Sequence, residues 1–174
     1  MFQYTKVSWI VITLLLCWIK TRAFFYFSWM ILFLYVLLDD SLEIHEGFGL
    51  DVAIYFNFQP AYGLRGVDFG EILVSLISYS VIFVLLAISY FRSKPKERRI
   101  SNNLAFLFAA LAFCGLVLDM VDIMVLKFEN RLLSLYSQIA EDGGEMVVIS
   151  VILYYVLSLN PKREINTAPT MSIN

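Results

Sequence analysis

Leu38-Asp39-Asp40-Ser41-Leu42-Glu43-Ile44-His45-Glu46 is where a long apolar run breaks into acid. From Ala23 to Leu38 the chain is almost wholly aliphatic and aromatic. Extended to about Glu43 as a helix, at about 1.5 Å per residue, the run crosses a hydrocarbon layer about 30 Å thick. The core of the acidic stretch, Asp40-x-x-Glu43, returns as Asp68-x-x-Glu71, Asp119-x-x-Asp122 and Asp142-x-x-Glu145, each at the end of another apolar segment. Whether these corners share one side of a membrane depends on the segments around them.

A chain of 174 residues that is 60% hydrophobic and 16% charged, with a mean hydropathy of +0.74, is too apolar for an ordinary soluble domain. It reads as an all-α polytopic membrane protein with five transmembrane helices: Phe2 to Ile19, Ala23 to about Glu43, Phe69 to Phe91, Ile100 to about Leu126 and Ile139 to about Leu159. These make a single transmembrane helical domain over residues 1–160, with 161–174 a polar, disordered cytoplasmic tail. Lys6 and the apolar run behind it resemble a secretory signal, but no small-x-small cleavage site follows, so a retained helix is expected. Whether that short segment spans or lies in the interface stays open. Cys17 and Cys114 fall inside apolar runs, without the spacing of a metal knuckle or redox pair. Gly47 to Val67, rich in glycine and aromatics, reads as an interfacial loop, either an aromatic belt or a lid. Lys127 to Gln138 reads as a second, partly amphipathic connection.

The run Arg92 to Arg99 belongs in the cytoplasm by its lysines and arginines. The turn at 20–22 and Lys162-Arg163 then join it, collecting nine of the thirteen basic residues and only two of the fifteen acids, Glu97 and Glu164. Five helices place the N-terminus outside and the C-terminus inside. A bacterial inner membrane is the expected location, since no organellar targeting signature is present. Asp68-Phe69-Gly70-Glu71 resembles Asp142-Gly143-Gly144-Glu145, and Asp40 to Ile44 resembles Asp119 to Ile123. Helices 2–3 and 4–5 therefore read as a two-fold parallel repeat of one hairpin, about 23–91 and 100–159, forming a four-helix bundle beside the N-terminal helix.

Residues three apart lie about 60° apart around a helix, so each acid pair presents both carboxylates on one face. In the second helix Asp39, Asp40, Glu43 and Glu46 share an arc if the helix continues past Glu43, and His45 points elsewhere. Acids at a helix start favour the macrodipole, which accounts for Asp68, Glu71, Asp142 and Glu145; Asp40, Glu43, Asp119 and Asp122 lie at helix ends, where negative charge is disfavoured. Close like charges at membrane depth need a proton, a cation or water. Carboxylate-rich sites suit hard divalent ions, so the expected cofactor is Ca²⁺, Mg²⁺, Mn²⁺ or iron. The metal-site residues are Asp40, Glu43, Asp68, Glu71, Asp119, Asp122, Asp142 and Glu145, with His45 and Asp39 as weaker candidates. No nucleotide loop, hydrolase elbow or zinc motif occurs, and one histidine excludes bis-histidine haem within a single chain. The basic run is topogenic rather than a nucleic-acid patch.

The expected function is cation or proton handling, most directly transport, at the extracytoplasmic ends of helices 2–5. Ser75, Ser78, Asn102 and Asn103 are the candidates for a polar path inward, which a homodimer would complete. One alternative is a metal-dependent enzyme acting on a lipid or other amphiphile at the outer leaflet, with Glu71 or Glu145 as general base. Another is a non-catalytic assembly or sensor subunit whose acidic rim meets a basic partner. In every case the lipid bilayer is the surrounding partner.

Overall fold

Val7, Ile10, Leu14 and Cys17 recur at helical spacing, and they are the stripe that the first helix, α1 (Phe2–Thr21), buries. The computed structural model describes residues 2–61, 64–126 and 131–159; at 2, 115–126 and 131–142 it describes the backbone alone. α1 ends where Arg22 turns left-handed (φ 56°) and its N–H donates to Trp18 O at 2.7 Å. The Thr21 hydroxyl accepts from Ala23 N at 3.2 Å, and α2 (Phe24–Leu42) returns alongside α1.

α2 is the centre of the fold. Eight of its described residues are buried, against three of α4 (Gly66–Arg92). One flank meets the α1 stripe. The other meets α4 through Tyr35 and Tyr79, whose rings lie edge-on 5.2 Å apart, and α5 (Pro95–Leu126) through Phe33 and Phe108 at 6.2 Å. Trp29 donates its indole N–H to Ser101 Oγ of α5 at 2.9 Å in the buried core. α6 (Arg131–Ser158) closes the bundle against α1 and α5 with Ile149, Ile152 and Val156, again one face of a helix.

Several boundaries differ from the sequence reading. The stretch Gly47 to Val67 is not all loop: α3 (Ile44–Phe56) occupies its first half and packs antiparallel on the start of α4. Gly49 and Gly70 are there for contact, not for turning. A Cβ on Gly49 would lie 2.6 Å from Glu71 Cγ, and one on Gly70 would strike the Gly49 carbonyl. α3 ends at Asn57 (φ 51°), whose N–H donates to Ala53 O and Ile54 O. α5 begins at Pro95 rather than Ile100, because proline suits the first helical turn and Glu97 Oε2 accepts Lys94 N at 2.9 Å. α6 begins at Arg131, so 131–138 belong to a helix rather than to a connection.

Of the two motif pairs that suggest a repeat, Asp40 to Ile44 and Asp119 to Ile123 both fall near the end of a helix, but Asp68 and Asp142 do not correspond. Asp68 lies in the first turn of α4, whereas Asp142 is eleven residues, about 16 Å, into α6. α3 also stands between α2 and α4, so these two do not form a simple hairpin. Among the described residues three helices are long and apolar enough to cross a membrane: Gln3–Thr21, Phe24–Leu42 and Gly66–Arg92. The tail beyond 160 lies outside the described residues.

Packing sorts the charges by end. Where α1 stops, α2 starts, α4 stops and α5 starts, the chain carries Lys20, Arg22 and the run 92–99. Arg98 of that run donates to Tyr90 O, Phe91 O and Ser93 O, capping the α4 carbonyls. At the opposite end, the start of α1 meets the end of α2 through Tyr4 OH, which donates to Asp40 O at 3.3 Å.

Candidate functional site

The acidic end is built around the break between α2 and α3. Glu43 takes left-handed backbone angles (φ 50°, ψ 44°), closing α2 with its N–H on Asp39 O and opening α3 in the next residue. The expected continuous arc of Asp39, Asp40, Glu43 and Glu46 is therefore broken. The break swings the following turn back over α2. His45 N donates to Asp39 Oδ1 at 3.0 Å, and His45 Nδ1 lies 3.2 Å from the same oxygen. Asp39 thus caps α3 from the end of the preceding helix. An acid disfavoured by the C-terminus of α2 is favoured by the N-terminus of α3.

Asp39 is the buried acid among the described side chains at this end, and the His45 side chain beside it is 33% exposed. Asp39 is 7% exposed. His45 Nδ1 is buried and within ion-pair reach of the carboxylate, but its geometry is off the line of a hydrogen bond. Tyr79 of α4 packs edge-on against Tyr35 of α2, whose buried hydroxyl has no hydrogen-bond partner among the described residues. Sequence reasoning ranked Asp39 and His45 last. The signal available in the sequence was the spacing of an Asp six residues before the chain's single histidine, across a possible helix break.

The other expected residues are dispersed or engaged singly. Asp40 and Glu43 are exposed. Asp68 binds Arg65 at the start of α4, accepting from Arg65 N at 2.8 Å, Nε at 2.9 Å and Nη2 at 2.7 Å, while its own N–H donates to Arg65 O at 3.1 Å. Hydrogen bonding to that carboxylate pushes the Arg65 guanidinium further above its ordinary range. Glu71 is half-buried with its stem pressed on the Gly49 backbone. Glu145 accepts from Gln3 Nε2 of α1 at 3.2 Å. The side chains of Asp119, Asp122 and Asp142 lie outside the described residues. Among the described residues no three metal-ligand side chains converge.

The structure also brings forward residues that charge patterning passed over. Gln3 and Lys6 of α1 face Glu145, Met146 and Ser150 of α6 across the bundle. Of the expected inward path, Asn102 and Asn103 are exposed, and Asn103 donates to Tyr155 OH at 3.0 Å. Further along the bundle Phe33 is buried against half-buried Phe108 at 6.2 Å between ring centres, while Phe83, 6.4 Å from Phe108, is exposed.

No curated protein and no solved structure matches the chain. A family model described as a domain of unknown function, DUF8692, matches residues 1–159.

Proposed function

The chain belongs to the DUF8692 family, and from that premise we propose that it is an integral membrane protein that takes up and releases protons at the outer end of its bundle. In this reading α1, α2, α4, α5 and α6 span the bilayer, with the basic end cytoplasmic and the N-terminus outside. The carrying observation is the enclosed Asp39 carboxylate at the membrane edge, with the His45 imidazole 3.2 Å away as its counterpart. A carboxylate at that depth needs an opposite charge or a proton. Imidazole is the side chain that ordinarily changes charge between about pH 5 and 8. Asp40 beside it on α2, Glu43 at the break, Glu46 in the first turn of α3, Tyr35 and Tyr79 below it, and Tyr4 of α1 are further titratable groups near this corner.

A proton suits this corner, since the buried Asp39 carboxylate already has His45 beside it. Phe33, buried in the core beside Phe108, supports binding at one end over an open pore within one chain.

The test is an acid pulse applied to proteoliposomes carrying the full chain, read with a pH-sensitive dye. Asp39→Asn and His45→Gln are each expected to lower proton uptake at least about tenfold, while Glu46→Gln on the exposed face leaves it unchanged. Asparagine caps a helix as well as aspartate. Wild-type uptake in Asp39→Asn means that the carboxylate serves only as the cap of α3, and the proposal fails.

A further inference from the structure

Lys6 stands on the outer turn of α1, inside the apolar span Gln3–Thr21 and about three residues, roughly 5 Å, below its start. That is the depth at which headgroups give way to hydrocarbon. Its ammonium donates to Ser150 Oγ at 2.8 Å and to Met146 O at 3.3 Å, both neutral acceptors. Among the described residues the ion pairs are those of Asp39 with His45 and Asp68 with Arg65, and no carboxylate lies within 4.0 Å of Lys6 Nζ. Glu145, beside Met146 on α6, accepts from Gln3. A cation near a helix N-terminus is also opposed by the helix dipole, and α1 has no acid in its first turn. This place asks for an anion.

The ammonium heads a groove of about 470 Å³, open on one side, lined by Lys6, Met146, Val147, Ser150, Val151 and Tyr154. The groove is shallow, and Val147, Val151 and Tyr154 along it are exposed on the surface of α6. The α6 positions recur at helical spacing, so the groove runs along that helix from Met146 to Tyr154, about 12 Å down toward the bilayer interior. Its head is cationic and its length apolar apart from Ser150 and the Tyr154 hydroxyl. Free phosphate would gain nothing from Val147 and Val151, and a neutral chain would leave Lys6 without a counter-ion.

We propose that this groove between α1 and α6 holds an anionic phospholipid of the outer leaflet, its phosphate on Lys6 and one acyl chain along Met146, Val147, Val151 and Tyr154. The assignment shares with the proton proposal only the placement in a membrane, and it concerns the opposite flank of α1.

Native mass spectrometry of the full chain in detergent tests it, with phosphatidylglycerol and phosphatidylcholine of identical acyl chains supplied equally. Wild type is expected to retain one phosphatidylglycerol in preference to phosphatidylcholine. Lys6→Gln lowers that preference by about fivefold, and Lys6→Arg keeps it. Val151→Trp fills the groove and lowers retention of both lipids with Lys6 intact, so the assignment does not hang on one variant. Equal retention of the two lipids by wild type overturns it, as does a preference unchanged in a folded Lys6→Gln protein. Displacement of phosphatidylglycerol by millimolar inorganic phosphate also overturns it, because the site would then read phosphate alone. Proton uptake unaltered in Lys6→Gln keeps this outcome separate from that of the Asp39 pair.

Discussion

Asp39 and Asp68 both cap the first turn of a helix, at the two corners of the α3–α4 arm, yet their surroundings differ in kind. Asp68 caps its own helix and is held by Arg65, whose side chain is 79% exposed. Asp39 caps a helix that is not its own, from an enclosed position between α2, α3 and α4, and its partner is an imidazole. The first corner can exchange its partner for water at little cost. The second cannot, because removing either group strands polar atoms where water does not reach. Sequence pattern alone treats the two aspartates as equivalents; burial makes one a surface fastening and the other a candidate site.

The largest expected effect breaks the enclosed corner. Asp39→Ala removes the acceptor of His45 N and the counterpart of Nδ1 together. It is expected to cost about 3 kcal/mol, combining a lost cap with a stranded buried donor. Thermal unfolding in detergent, followed by circular dichroism, reads the change. An Asp39→Ala protein as stable as Asp68→Ala would erase the distinction drawn here.

Next in size is Gly70→Ala, which leaves both aspartates in place and lifts the arm between them. Its Cβ must strike the backbone carbonyl of Gly49 and crowd Ala53 N, and backbone cannot swing aside as a flexible side chain can. A cost of about 1–3 kcal/mol is expected. Hydrogen exchange locates it: α3 amides lose protection, whereas those of α2 around Phe33 do not. Equal loss in both helices would mean that α3 is not an arm held separately but part of the central packing.

How far such features can be read from sequence depends on whether the signal is periodic. The apolar helices could be read because Val7, Ile10, Leu14 and Cys17, or Ile149, Ile152 and Val156, repeat with the helix itself. The basic end could be read because membrane insertion separates lysine and arginine from the apolar runs. α3 could not, since Gly47 and Gly49 carry the composition of a loop, and only the approach of α4 reveals that a missing Cβ serves contact. The start of α6 could not be read either, since 131–138 is only partly apolar and has the pattern of an amphipathic connection rather than of a span. The break at Glu43 had no glycine, asparagine or proline to announce it. Asp39, beside the acids that the end of α2 disfavours, answers to the start of α3. A macrodipole argument is complete only when every helix end within reach is counted.

The smallest expected effect tests the exposed corner. Arg65→Ala removes the hydrogen bonds to Asp68 from Nε and Nη2 but leaves the one from the backbone N–H of residue 65, so the cap persists without the guanidinium. Exposed ion pairs contribute little, and at 0.15 M salt their fields fade over about 8 Å. No resolvable change in unfolding temperature is expected at physiological salt, with at most a slight loss at low ionic strength. The measurement discriminates because Glu71 lies one turn below Asp68 on the same face of α4, pressed against Gly49 of the arm. If Arg65→Ala instead destabilises the protein as deeply as Asp39→Ala does, and salt does not soften the loss, Arg65 is the countercharge for several acids at once. The corners of the arm would then act as one electrostatic unit, and Asp39 with His45 would be part of a larger site rather than its whole.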